Sequence, residues 1–136
     1  MQGGKMKRFF ICMIFLVMAL STQAFADYKE LIRQQKYQAA LAEIEPLAEN
    51  GNTDAQYYLG VLYDNGYGVT KDYIEAQKWY QKAAGQGYAS AQFNLGYLYA
   101  HGQGVKQDYT LAVKWYQKAA VQGDSDAQYN LAHLRQ

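Results

Sequence analysis

The sequence repeats itself at an interval of 36 residues, and this interval limits the folds that the chain can adopt. Shifted by 36 residues, the segments 52–87 and 88–123 are identical at 21 of 36 positions. They end in almost the same nine residues, WYQKAAGQG and WYQKAAVQG. A fixed period of roughly 20 to 50 residues is typical of repeat proteins, whose neighbouring units bury their apolar faces against each other. We therefore interpret the duplicated peptide as a structural element rather than a catalytic motif.

Each copy has the pattern of two helices, which we call helix A and helix B, joined by a loop. In helix A the apolar residues recur at steps of three and four, as at Leu59 and Leu62, which favours one buried helical face. Asp54 in the first copy and Ser90 in the second are of the residue types that cap helices. We therefore expect helix A to begin near these two residues.

A loop that contains two glycines follows each helix A, as NGYGVTK in the first copy and HGQGVKQ in the second. These loops lack the spacing of a phosphate-binding loop, and we predict turns with positive φ at the glycines. Asp72 and Asp108 are expected to cap helix B, with Glu75 completing a capping box in the first copy. Gly87 and Gly123 are of the type that ends a helix.

Two features of the repeat predict how its helices pack. Gly60 and Gly96 lie inside helix A, where glycine costs about 1 kcal/mol relative to alanine. Their recurrence indicates that a partner helix approaches closely at this position. In helix B, Trp79 and Tyr80 share a face with small alanines, and we predict that both aromatic residues belong to the core.

This frame resembles the Sel1-like repeat family, which is related to the tetratricopeptide repeat. The residues that carry the resemblance are identical in the second copy, 36 residues further on: Ala55, Leu59, Gly60, Tyr63, Gly66, Gly68, Val69, Asp72, Ala76, Trp79, Tyr80, Ala83, Ala84 and Gly87. The resemblance implies an all-α fold, a right-handed α–α superhelix of about seven helices. It also implies a function in binding other proteins.

The first 26 residues have the pattern of a secretory signal peptide. Lys5, Lys7 and Arg8 precede an unbroken apolar run, Phe9–Leu20, and small residues follow in STQAFA. The apolar run is shorter than the roughly 20 residues that span a membrane as a helix. We predict cleavage before residue 27 and a periplasmic protein, with full secretion or an uncleaved anchor as alternatives.

The sequence pattern divides the remaining chain into four segments. Residues 27–51 align with the repeat but lack its glycine loop, and we predict a degenerate tetratricopeptide-like unit in which Pro46 kinks the second helix or marks its late start. Residues 52–87 and 88–123 are the two full repeats. Residues 124–136 begin with the pattern of a third helix A and are predicted to form a capping half repeat.

The composition of residues 27–136 argues against several classes of function. This part contains no cysteine, and its 10 Lys and Arg against 12 Asp and Glu give a net charge of about −2 (10 − 12). It therefore has neither a cysteine metal site nor the basic character of a nucleic-acid-binding protein. His101 and His133 are not spaced as a tight metal-binding pair. We predict a non-catalytic protein that uses no cofactor and no metal.

The candidate functional site is the exposed face of helix A, which tetratricopeptide-like proteins present on the inner side of the superhelix. At these positions residues vary between copies while the packing positions do not, and aromatic side chains with few charges are typical of protein contacts. The predicted partner-binding residues are Tyr57, Val61, Asp64, Asn65, Phe93, Tyr97, His101, Tyr129 and His133. Alternatively, some of these aromatic residues pack between neighbouring A helices.

We therefore predict a protein that binds a protein or peptide in the bacterial envelope, as an adaptor, scaffold or inhibitor, without stable membrane insertion after cleavage. Two alternatives remain open. Some cysteine-rich Sel1-like proteins are described as binding or hydrolysing β-lactams, but residues 27–136 lack the cysteines of that subgroup. A tyrosine-rich face also fits binding to peptidoglycan or another glycan. The oligomeric state stays open.

Overall fold

Every regular element of residues 28–134, the part of the chain that the computed structural model describes, is an α-helix. The all-α class and the number of about seven helices are thereby confirmed. The predicted signal peptide, residues 1–26, lies outside these residues. The helices are α1 (Tyr28–Arg33), α2 (Tyr37–Glu49), α3 (Thr53–Asn65), α4 (Tyr73–Gly85), α5 (Ala89–His101), α6 (Tyr109–Val121) and α7 (Ser125–Leu134).

The chain divides into two compact units, and the boundary follows Glu43 inside α2. The described part of the first unit contains α1, an ion pair between Arg33 and Glu30, and the start of α2. The second unit contains the end of α2 and the helices α3 to α7. Because α2 begins at Tyr37 and continues through Pro46, the proline does not mark a late start of this helix.

The N-terminus of helix A differs from the sequence-based expectation by two residues. Asn52 has extended backbone dihedrals and its side chain accepts a hydrogen bond from the Ala55 amide at 2.9 Å. In the second copy the cap position is Tyr88, which makes no side-chain capping bond. The prediction that Asp54 and Ser90 cap these helices is therefore wrong, because both residues already lie within the first helical turn.

The ends of helix B agree with the prediction. The Asp72 carboxylate accepts hydrogen bonds from the amides of Ile74 and Glu75 at 2.9 and 3.1 Å. Asp108 likewise caps α6. Gly87 follows the end of α4 with a φ of +92°, which is the left-handed conformation that glycine adopts without strain.

The predicted capping box at the start of α4 is only half formed. The Glu75 carboxylate accepts a hydrogen bond from Lys78 Nζ at 2.6 Å instead of turning back to the cap. The Asp72 amide, which the box would bind, donates to the Tyr63 carbonyl oxygen at 2.9 Å. The expected role of Glu75 is therefore wrong, because the loop backbone already satisfies the amide of the cap residue.

The helical glycines do mark a close approach, as predicted, and the approaching group is a tyrosine ring. A Cβ atom on Gly60 would lie 2.6 Å from Cδ1 and Cε1 of Tyr80. On Gly96 it would lie 2.8 Å from Cδ1 of Tyr116. Each helix A therefore packs on its own helix B through a glycine and a fully buried tyrosine.

The two tryptophans of the repeat are less buried than the tyrosines that follow them. Trp79 and Trp115 are half-buried, and the ammonium groups of Lys82 and Lys118 lie 4.3 and 4.6 Å from the centres of their rings. The prediction of a core position holds for Tyr80 and needs correction for Trp79. Because each indole lies at the rim of the core, one face of its ring is open to a lysine cation. A cation over an aromatic face is a favourable contact.

Both copies of the repeat also place a pair of glutamines between neighbouring units. Gln92 is buried, and its amide donates to the Ala84 carbonyl oxygen at 3.2 Å and accepts from Gln122 at 2.8 Å. The first repeat forms the same arrangement with Gln56 and Gln86. The Ala84 carbonyl oxygen, which also accepts from the Gly87 amide at 3.0 Å, thereby gains a second donor from the next helix A.

Candidate functional site

The nine predicted partner-binding residues lie on α3, α5 and α7, the A helices, and they differ in exposure. Four are half-buried: Tyr57, Val61, Asp64 and Phe93. Five are exposed: Asn65, Tyr97, His101, Tyr129 and His133. The exposed group therefore has more of its surface available to a partner than the half-buried group.

Tyr57 packs between neighbouring elements of the repeat. Its ring stacks on Tyr88, with the ring centres 4.9 Å apart, and lies 6.1 Å from the centre of the Tyr80 ring. Burial raises the pKa of the Tyr57 hydroxyl above its ordinary value, although hydrogen bonds with Asn94 and Ser90 oppose this. Most of the ring is therefore used to hold α3 against the start of α5.

The equivalent positions in the later units show a gradient of exposure. Phe93 packs on Tyr116, with the ring centres 5.6 Å apart, as Tyr57 packs on the tyrosine of its own helix B. Tyr129 occupies the same repeat position in α7 and is 63% exposed. Of the three equivalent residues Tyr57, Phe93 and Tyr129, only Tyr129 is exposed.

Asp64 and Asn65, at the end of α3, make hydrogen bonds within the repeat. The Asp64 carboxylate accepts a hydrogen bond from the Tyr80 hydroxyl at 2.9 Å. Burial, with the nearby Asp64 charge, raises the pKa of Tyr80 well above its ordinary value. Asn65 donates its amide to the Val61 carbonyl oxygen at 2.9 Å. These two residues therefore help to hold the end of their helix in place.

The exposed residues of α5 and α7 form two matching pairs. The Tyr97 ring stacks on the His101 imidazole with 3.9 Å between ring centres, and Tyr129 lies over His133 at 4.0 Å. In each pair the histidine Nδ1 is within 2.9 Å of the backbone carbonyl oxygen of its tyrosine. We call these four residues, Tyr97, His101, Tyr129 and His133, the Tyr–His surface.

A cleft of about 270 Å³ opens between the two histidines. Its lining combines three members of the Tyr–His surface with apolar and amide groups: Tyr97, Ala100, His101, Tyr116, Asn130, His133 and Leu134. Burial raises the pKa of Tyr116 to about 12. Ala100, Asn130 and Leu134 were not among the predicted residues, and only the repeated asparagine at positions 94 and 130 could have pointed to one of them.

The described residues do not assemble the ligands of a metal site. No group of three or more histidine, cysteine, aspartate or glutamate side chains comes together within residues 28–134.

The two-glycine loops are turns with positive φ, as predicted, at Gly66, Gly68, Gly102 and Gly104. Gly104 also lies so close to the backbone of Tyr73 that a Cβ atom there would be 2.4 Å from it. None of the helices in this part of the chain has the length and apolarity needed to cross a membrane.

The helix pairs, the glycine–tyrosine contacts and the glutamine pairs define a helical repeat protein. The Sel1 repeat family model matches residues 53–88, 89–124 and 125–136. The chain belongs to the Sel1 repeat family. Proteins with this repeat are generally protein-interaction modules and are typically non-catalytic.

Solved structures of similar proteins share the fold. The chain is 41% identical to a Sel1 repeat protein from Oxalobacter formigenes, with a TM-score of 0.77 over 81% of this chain and 45% of that one. It is 46% identical to c5321, a protective antigen present in uropathogenic Escherichia coli strains that displays an SLR fold, with a TM-score of 0.66 over 68% of this chain and 20% of that one. Helicobacter pylori cysteine rich protein B is 33% identical, with a TM-score of 0.62 over 72% of this chain and 71% of that one.

The chain is shorter than the first two of these proteins and spans 45% and 20% of their lengths. No curated protein matches it at a significant level. The comparisons therefore establish the family and the helical repeat fold.

Proposed function

We propose that this chain is an adaptor of the bacterial envelope that docks a segment of a partner protein on the Tyr–His surface. The observation that supports this is a cleft lined by Tyr97, His101 and His133, which belong to two exposed tyrosine–histidine stacks. Tyr97 and Tyr129 are 41% and 63% exposed. Each ring is held at a fixed angle by its histidine, so it loses little freedom when a partner packs on it.

The chemistry of the cleft favours a protein partner. The cleft measures about 270 Å³, and its lining combines aromatic and apolar side chains with the Asn130 amide and two histidines. Aromatic residues at the centre of a contact, with polar groups such as Asn130 beside them, are typical of protein interfaces.

The half-buried members of the predicted site have a different role in this proposal. Tyr57, Val61 and Phe93 pack against the core clusters, and their remaining surface extends the contact rather than anchoring it. Asp64 is held by Tyr80 and Asn65 by its own helix. The binding energy is therefore expected to concentrate on the tyrosines of the Tyr–His surface.

Affinity capture from an envelope extract tests the docking proposal. The purified chain serves as one bait and a variant with Tyr97→Ala and Tyr129→Ala as the second. Tyr109→Ala is the matched control, because Tyr109 is 56% exposed but lies on α6, a helix B. We expect a partner that the chain and the control retain and the double variant loses, with circular dichroism showing that all baits are folded. Equal capture by the three baits would contradict docking on this surface.

Export of the chain is the second part of the proposal. It is supported by the charged start, the apolar run and the small residues within positions 1–26, and by the similarity to a protein described as a protective antigen. Fractionation of expressing cells with N-terminal sequencing tests it. We expect a periplasmic protein that begins at Asp27, and a cytoplasmic protein that begins at Met1 or Met6 would contradict export.

Glycan binding is a second candidate, because exposed tyrosine rings can stack on sugars. The 63% exposed ring of Tyr129 is the observation that favours it. Sedimentation with purified peptidoglycan separates the two candidates. Pelleting of the chain that the double tyrosine variant loses, without any captured protein, would favour glycan binding over the adaptor.

A further inference from the structure

A second groove lies on α6, a helix B, and has a volume of about 580 Å³. Its walls include Leu111, Lys114, Trp115, Lys118 and Val121 of α6 together with Gln92 of α5. We call it the α6 groove. The Tyr–His surface, by contrast, is formed by two A helices.

The α6 groove lies beside α5, near the boundary between the two full repeats. Trp115 packs against the core cluster that contains Ala76 and Tyr80 of α4, and Gln92 donates to the Ala84 carbonyl oxygen at the end of the same helix. The groove floor is therefore fixed by the packing of two neighbouring repeats. A preformed floor lowers the cost of ordering the site when a ligand binds.

The residues of α6 differ from their equivalents in α4 where they line the groove. In α4, Glu75 forms an ion pair with Lys78 at 2.6 Å. The equivalent of Glu75 in α6 is Leu111, so Lys114 lacks this partner on its own helix. Within residues 28–134 no carboxylate lies within ion-pair distance of Lys114. The substitution adds an apolar wall and leaves an exposed cation at the rim.

The end of the groove shows a second difference of this kind. Val121 stands where the first repeat has Gly85, and its side chain is 88% exposed. Next to it, the Lys118 ammonium lies 4.6 Å from the centre of the Trp115 ring. The groove thus combines an apolar surface with two cations, and its lining contains no acidic residue.

We propose that the α6 groove binds an acidic segment of a partner protein. An apolar side chain of that segment packs between Leu111, Trp115 and Val121, and flanking carboxylates pair with Lys114 and Lys118. Charge complementarity of this kind governs specificity and the rate of association. The chain would then hold two partners, one on each row of its helices.

A short fluorescein-labelled helical peptide, with leucine and phenylalanine on one face and glutamate on the other, serves as the probe in fluorescence anisotropy. We expect the purified chain to bind it, with an affinity that falls as salt is added because the contacts are ionic. A second peptide with lysine in place of glutamate is expected not to bind. Failure of the acidic peptide to bind, or equal binding of both peptides, would overturn the proposal.

Charge reversal locates the contact. Lys114→Glu with Lys118→Glu is expected to weaken binding of the acidic peptide by about tenfold or more and to allow the lysine peptide to bind. Lys78→Glu with Lys82→Glu makes the same change on α4 and is the matched control, expected to leave binding unchanged. If both double variants lost affinity for the acidic peptide equally, the peptide would be attracted by the net charge of the chain alone. That result would overturn the groove as the binding site.

A milder variant restores the residue of the first repeat. Leu111→Glu places a carboxylate three residues before Lys114, as in α4. This variant is expected to bind the acidic peptide more weakly and still not to bind the lysine peptide.

Vesicles with anionic lipid test the other source of negative charge. Binding to vesicles that depends on Lys114 and Lys118, with no binding of the acidic peptide, would assign the groove to a membrane and overturn the protein partner.

Discussion

The ring of Tyr80 lies directly on the backbone of Gly60, with Cδ1 and Cε1 2.6 Å from the place that a Cβ atom would occupy. Tyr116 makes the same contact with Gly96 in the next repeat. The absence of a side chain on helix A therefore sets the distance between the two helices of each unit. The buried tyrosine fills the space that this leaves.

Gly60→Ala is expected to destabilise the chain, although alanine is the better helix former. The propensity gain is about 1 kcal/mol, but the added methyl group overlaps a ring that is 0% exposed and cannot move into solvent. Overpacking of a core costs roughly 1 to 3 kcal/mol. We expect the free energy of unfolding to fall by up to about 2 kcal/mol, measured by urea denaturation.

Gly85→Ala is the matched control for this prediction. Gly85 ends α4 and has no neighbouring atom within 4 Å of the position of its added Cβ. There the same substitution is expected to raise the free energy of unfolding by up to about 1 kcal/mol. A Gly60→Ala variant as stable as Gly85→Ala would contradict the role assigned to the tyrosine–glycine contact.

Gln92→Ala is expected to lower the free energy of unfolding by about 0.5 to 1.5 kcal/mol, because it removes a buried hydrogen bond to the Ala84 carbonyl oxygen, which keeps the Gly87 amide as its other donor. Gln92 is 4% exposed. Gln128 makes the equivalent bond to Ala120 at 3.1 Å but is exposed, so Gln128→Ala is expected to cost less than about 1 kcal/mol. Thermal unfolding of both variants tests this, and equal losses would argue against a buried glutamine bridge.

Alkaline pH is expected to destabilise the fold through its buried tyrosines. Burial raises the pKa of Tyr116 from about 10 to about 12, and burial raises the pKa of Tyr80 in the same direction. Because the unfolded state loses these protons first, the contribution of Tyr116 is complete below pH 10 and is lost as the pH rises through about 12.

Urea denaturation at a series of pH values between 9 and 12 measures this effect. Tyr116→Phe removes one of the titrating hydroxyls, and its loss of stability over this range is expected to be smaller than that of the chain. A midpoint that stays constant up to pH 12 in the chain itself would contradict the expected linkage.

The repeat made much of this fold predictable from the sequence. The period located the helix pairs, and the recurrence of Gly60 and Gly96 indicated a close contact before its partner was known. The caps of helix A were misplaced because Asp54 is a good capping residue by type, while Asn52 lies where the backbone turns. Local residue preferences do not decide between two polar candidates that lie two residues apart.

The candidate site was harder to predict, because exposure depends on which neighbours a residue meets. Tyr57 and Tyr129 hold the same repeat position, yet Tyr57 stacks on Tyr88 and Tyr129 is 63% exposed. Trp79 was expected in the core, whereas it and its equivalent Trp115 are half-buried, and Trp115 lies in the wall of the α6 groove. Such differences arise from contacts between units, which a pattern within one unit does not contain.

Site-specific photocrosslinking tests the central claim, that the Tyr–His surface contacts a partner protein, most directly. A photoreactive phenylalanine analogue replaces Tyr97 or Tyr129 in cells that express the chain, and in the control it replaces Ile74, which is 58% exposed on α4. We expect a crosslinked protein of the same mass from positions 97 and 129 and none from position 74. Adducts from position 74 alone, or from no position, would contradict the claim.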